Sequence, residues 1–85
     1  MTEESKIQAK IIKKLEAEGY YVLKLMKTNK NGIPDILAIP RDSDVLFVEV
    51  KTPTGVVSPL QTHRIKELIN HGAKAIVARS IEDLK

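Results

Sequence analysis

Residues Val45–Lys51 read Val-Leu-Phe-Val-Glu-Val-Lys, and this run constrains the fold more than any other. Side chains alternate faces along a strand. Leu46, Val48 and Val50 therefore share one face, all apolar, while Val45, Phe47, Glu49 and Lys51 share the other. A strand this apolar belongs inside a sheet, because an exposed apolar edge invites pairing with other chains. The run nevertheless ends on an acid and a base side by side. Charge in such a place is costly unless it is paired or binds metal.

The rest of the chain is short, sharply punctuated segments. Thr2 is placed to cap a helix over residues 3–18, with Ile7, Ile11, Ile12 and Leu15 on one face and Lys6, Lys10, Lys13 and Lys14 largely opposite. Gly19 follows as a left-handed C-cap. Tyr20–Met26 is rich in strand formers, and Lys27–Gly32 is a polar, basic loop. A second strand runs from Pro34 or Asp35 to Ile39, and Arg41–Asp44 is a compact turn. Thr52–Val57, with Pro53 and Gly55, is a loop. Ser58 starts a second helix with Pro59 at its first position, and Leu60, Ile65, Leu68 and Ile69 mark the side expected to be buried. Gly72 ends it, Lys74–Arg79 is a fourth strand, and Ser80 caps a final helical turn, Ile81–Lys85. The order α-β-β-β-α-β predicts an α/β fold. Three strands form an antiparallel meander, and a fourth returns parallel after a helical crossover. The expectation is one mixed four-stranded sheet flanked by helices, in a single domain spanning residues 1–85.

Composition excludes several classes. With no cysteine among 85 residues, disulfides and cysteine-based zinc sites are ruled out. No apolar run approaches the ~20 residues that span a bilayer, and the polar, acidic Met1–Lys6 is not a secretory signal. An intracellular setting is expected, and no membrane partner. The net charge of +3 suits a polyanionic partner.

Asp35 opens the second strand directly after Gly32-Ile33-Pro34. In an antiparallel pair the start of one strand lies beside the end of its neighbour, so the turn at Arg41–Asp44 predicts Asp35 next to Glu49. Two carboxylates then meet with a lysine at one edge. Hard cations such as Mg²⁺ are held by one or two carboxylates plus substrate phosphates. A lysine beside them orients water and stabilises developing phosphate charge.

Pro34-Asp35, a thirteen-residue gap and Glu49-Val50-Lys51 resemble the PD-(D/E)xK nuclease signature. Gly32-Ile33-Pro34-Asp35, Glu49-Val50-Lys51-Thr52-Pro53 and Ser58-Pro59-Leu60-Gln61 together resemble the VRR-NUC family, over almost the whole chain. The resemblance implies a minimal restriction-endonuclease-like core. It also implies a Mg²⁺- or Mn²⁺-dependent endodeoxyribonuclease that is homodimeric, acts on branched DNA such as a four-way (Holliday) junction, and leaves a 5′-phosphate. It sets the chain in a bacterial cytoplasm or a phage-infected cell, with no small-molecule cofactor. Asp35 and Glu49 would bind the metal with the Val50 carbonyl, and Lys51 would be the catalytic lysine. A first-helix acid and Gln61 would complete the site. The same superfamily also includes enzymes acting on ordinary duplex, and a non-catalytic nucleic-acid-binding module keeping this fold is the other alternative.

Several residues carry two readings. Glu4, with Gln8 as neighbour, lies within the Ile7/Ile11/Leu15 stripe whereas Glu3 lies about 100° away. Glu4 is equally a favourable acid in a first helical turn. Gln61 lies on the inward side of its helix, yet Ser58-Pro59-Leu60-Gln61 also fits a capping box. His63 and His71 read as solvated helix residues. The loop residues Lys27, Asn29, Lys30 and Asn31 lead into Asp35 and are the expected DNA contacts. Thr52 and Thr54 are expected to bond phosphates.

Overall fold

The computed structural model describes residues 1–84. Helix α1 (Glu3–Ala17) is capped by Thr2, whose hydroxyl accepts from the Ser5 amide, and ends at Ala17, one residue before the expected boundary, with Glu18 as its C-cap. Gly19 follows at φ +93°, the left-handed conformation that glycine reaches without Cβ strain. Strands β1 (Tyr21–Lys24), β2 (Ile36–Ile39) and β3 (Leu46–Val50) form the antiparallel meander. Helix α2 (Pro59–Asn70) then carries the chain to β4 (Lys74–Ala78), which pairs parallel to β3. The sheet order is β1-β2-β3-β4, so β3 is internal, as its apolar run requires. A single 3₁₀ turn, Ile81–Leu84, closes the described chain, and Lys85 of the expected final turn lies outside it.

The core lies on the sheet face that carries Ile36, Ala38, Val48, Val50 and Ala78, against Ile11 and Leu15 of α1. These side chains are fully or almost fully removed from water. Each buried Ile, Leu or Val stabilises by roughly 1.5–3 kcal/mol. Ile81 and Leu84 pack against the same core. The opposite face is covered by α2 where Glu49 emerges, so a helix flanks each side of the site strand.

Strand β1 is shorter than the expected Tyr20–Met26, although the Leu25 amide still donates to the Asp35 carbonyl at 2.8 Å. The expected buried side of α2 is corrected in part. Ile65 and Leu68 are half-buried, but Leu60 is 42% exposed and Ile69 50%. Leu60 is exposed because it stands over the Gly32 loop rather than on the sheet. A Cβ on Gly32 would lie 2.8 Å from the Leu60 Cγ. No helix among the described residues is long and apolar enough to cross a membrane.

Candidate active site

Register brings the two carboxylates together. Ile36 pairs with Val48 and Leu37 with Phe47, so one further step sets Asp35 opposite Glu49. Asp35 Oδ2 accepts from the Val50 amide at 2.9 Å. In a regular antiparallel ladder that amide would bond the carbonyl of residue 34, which would in turn donate its own N–H to the Val50 carbonyl. Residue 34 is proline and has no N–H. The β2–β3 ladder therefore supplies no donor for the Val50 carbonyl at the end of the strand.

Glu49 is the buried charge the sequence singles out, only 3% exposed. Its Oε2 lies 3.6 Å from Lys51 Nζ and accepts from Gln61 Nε2 at 3.3 Å. Its Oε1 is buried with no hydrogen-bond partner. Burial pushes the Glu49 carboxyl up to about 7, the adjacent Asp35 carboxylate adds to the rise, and Lys51 opposes it. An orphaned carboxylate oxygen facing a second carboxylate has the donor chemistry of a hard-cation site.

Gln61 performs both roles that its sequence context offers. Its Oε1 accepts from the Ser58 amide at 3.0 Å, its backbone amide donates to Ser58 Oγ at 3.1 Å, and its Nε2 reaches Glu49. The cap fixes which end of the amide faces the carboxylate. The side chain is thereby preset to donate to Glu49.

Glu4 does not join this cluster. It lies exposed in the first turn of α1, as does Glu3, and Gln8 is half-buried. Among the described residues no three His, Cys, Asp or Glu side chains gather around one point. His63 and His71 are exposed and both partner Glu67, His63 with its carboxylate and His71 with its carbonyl.

The basic loop borders the cluster directly. Residues 25–28 and 30–35 line an open cavity of about 290 Å³ that ends at Asp35; Lys27, Lys30 and Asn31 are exposed along it, and Asn29 is exposed on the same loop outside the lining. The loop is shaped from within and braced from outside. Thr28 Oγ1 donates to the Lys30 carbonyl at 2.6 Å, and Arg64 Nε of α2 donates to the Asn31 carbonyl at 2.8 Å. Beyond Lys51, Thr54 is exposed and Thr52 half-buried.

One residue beside the site was not marked by the sequence. Arg79 follows β4 and bonds the carbonyls of the Thr52–Gly55 loop. The available signal was topological, since a strand parallel to β3 must end level with Lys51.

The comparisons agree with this geometry. The model of the VRR-NUC domain family matches residues 2–82. A solved VRR_NUC domain superposes with a TM-score of 0.86 at 29% identity, covering 99% of this chain and 91% of that one. A VRR_NUC domain protein superposes with a TM-score of 0.76 at 21% identity, covering 95% and 80%, and that likeness speaks for the fold alone. No curated protein matches the chain.

Proposed function

Because the chain belongs to the VRR-NUC family and has its nuclease-type fold, we propose that it is a metal-dependent endonuclease that hydrolyses phosphodiester bonds of branched DNA. The observation that carries this reading is Glu49: a buried carboxylate with one oxygen bound by Lys51 and Gln61 and the other orphaned, opposite Asp35. A carboxylate kept this way is costly to the fold and serves no structural partner with Oε1.

Asp35, Glu49 and the Val50 carbonyl would hold Mg²⁺ or Mn²⁺, which when bound supplies positive charge to the phosphoryl oxygens in the transition state. The remaining work falls to the chain. Lys51 Nζ, 15% exposed, sits at the rim of the cluster and donates to an attacking water or a non-bridging phosphate oxygen. Water attacks phosphorus in line, the bond to the 3′ oxygen breaks, and the products are a 3′-hydroxyl and a 5′-phosphate. Gln61 holds Glu49 in place during this change. Lys27, Asn29, Lys30 and Asn31 bind the strand that leads into the site, and Thr52 and Thr54 bind the phosphates beyond it.

One chain offers one such cluster. Resolving a four-way junction takes two cuts, and a homodimer whose two-fold axis matches the junction supplies both. The test is cleavage of a labelled four-way junction and a linear duplex of matched sequence, with Mg²⁺, Mn²⁺ or EDTA. Metal-dependent cutting of the junction, abolished in a folded Lys51→Ala variant, is the expected result. Folded protein that binds DNA without cutting it under any of these conditions overturns the proposal in favour of a binding module. Equal cutting of both substrates overturns the preference for branches.

A further inference from the structure

We propose that Arg79 is a positioning residue that sets the side chain of Lys51, an inference that rests on the nuclease reading for its consequence but not for its geometry. Val50 pairs with Ala78, so Arg79 lies level with Lys51 across the parallel β3–β4 ladder. The Lys51 amide donates to the Ala78 carbonyl at 3.1 Å, which continues that ladder up to Arg79.

The Arg79 guanidinium then turns to the loop that leaves Lys51. Its Nη1 donates to the Thr52 and Gly55 carbonyls, both at 2.7 Å, and approaches that of Pro53 at 3.4 Å. Among the described residues no carboxylate pairs with it. The Asp83 carboxylate beside it accepts instead from the Arg79 backbone amide at 2.8 Å. The cation is therefore committed to backbone carbonyls, which a charged donor binds more strongly than a neutral one.

The clamped turn lies beside the lysine. A Cβ on Gly55 would stand 3.1 Å from Thr52 Oγ1 and 3.5 Å from Lys51 Cδ, so the turn lies against the alkyl stem of Lys51. The Gly55 amide also donates to the Thr52 carbonyl at 3.1 Å, which closes the turn on itself. With the turn along one side of its stem and its backbone tied to β4, Lys51 reaches Glu49. The same loop continues to Ser58 and Gln61. Gln61 is set separately, by its cap on Ser58, so the Arg79 clamp acts on Lys51 alone.

The test uses Arg79→Gln, Arg79→Lys and the double variant Lys51→Ala/Arg79→Gln. Arg79→Gln is expected to lower kcat about 100-fold, the scale of a misplaced catalytic group, with KM rising far less, because the Lys27–Asn31 loop is untouched and only the Thr52 and Thr54 contacts lie on the loosened turn. Arg79→Lys, which keeps the charge and reaches fewer carbonyls, recovers part of that loss. The double variant is no slower than Lys51→Ala, since the effect passes through Lys51. A wild-type kcat in Arg79→Gln, or losses that multiply in the double variant, overturns the proposal. Two readouts without DNA separate it from the nuclease reading: the Lys51 ¹³Cε resonance and amide exchange across Thr52–Gly55. In folded Arg79→Gln and Arg79→Lys protein the resonance shifts and exchange accelerates. Unchanged spectra overturn the clamp even where wild-type protein cuts no DNA.

Discussion

Gln61 donates to the Glu49 carboxylate at 3.3 Å with the same side-chain amide whose oxygen caps its own helix. The helix start and the site are thus one hydrogen-bonded unit, and a substitution can separate its two ends.

Gln61→Glu keeps an acceptor for the Ser58 amide but puts an oxygen where Glu49 needs a donor. We expect thermal stability at about pH 5 close to wild type, and a large fall in kcat at neutral pH. Gln61→Ala loses both bonds and costs about 1 kcal/mol of stability as well. Thermal melts beside cleavage rates check this, and equal activity of wild type and Gln61→Glu would dismiss the preset donor.

Glu49 gives the metal-free fold a defined pH dependence. Its carboxyl is raised from 4.5 to about 7, chiefly by burial. A raised value means that the folded state holds its proton more tightly than the unfolded state, so stability is lost as pH climbs through that window. Glu49→Gln removes the loss. Without metal we expect the variant to exceed wild type by roughly 2–3 kcal/mol near pH 8 and to match it near pH 4. Added Mg²⁺ should stabilise wild type alone. Urea titrations at both pH values read this directly, and a variant less stable than wild type at the higher pH would contradict it.

Lys27→Glu/Lys30→Glu tests the basic loop. Both side chains are exposed beside the cavity that ends at Asp35. Losing two phosphate contacts should flatten the plot of log Kd against log salt by about 2 units and weaken binding most at low salt. A catalytically silent background, Lys51→Ala, allows the binding to be measured with metal present. An unchanged slope would move the DNA path elsewhere.

Gly32 and Gly19 make a matched pair. Both have positive φ, +81° and +93°, but only Gly32 has a neighbour in the way. Gly19→Ala should cost about 1 kcal/mol from the backbone alone. Gly32→Ala should cost more, because its Cβ would meet Leu60, and Leu60→Ala should recover part of the difference. Equal costs at both glycines would show that the loop does not rest on α2.

Most of the fold was legible because each signal was local. The alternation in Val45–Lys51 fixed an internal strand, and Thr2, Gly19, Ser58 and Gly72 marked helix ends where the structure has them. The convergence of Asp35 with Glu49 was legible too, since a short turn in an antiparallel pair determines register. Helical phase was a weaker guide. It gives the direction of a side chain and says nothing of how far the helix extends past the core. Ile11 is fully buried, Ile7 half-buried and Glu4 exposed, so burial fades towards the N-terminus just where an acid was sought. Leu60 is exposed for a related reason, because it stands over the Gly32 loop. Arg79 was beyond local reasoning: its partners are 24–27 residues away, and nothing in its neighbours announces them.

Pro34 acts by what it lacks. Standing opposite Val50, it offers no N–H for one more rung between β2 and β3, and so leaves the Val50 carbonyl without a donor from that ladder, beside the Asp35 carboxylate that takes the Val50 amide. Almost any other residue there would bring a hydrogen that fits the ladder. Such a chain would gain a bond and a longer sheet, and would seal its own mouth. The proline ring is thus a spacer, keeping a seam open that sheet formation would otherwise close.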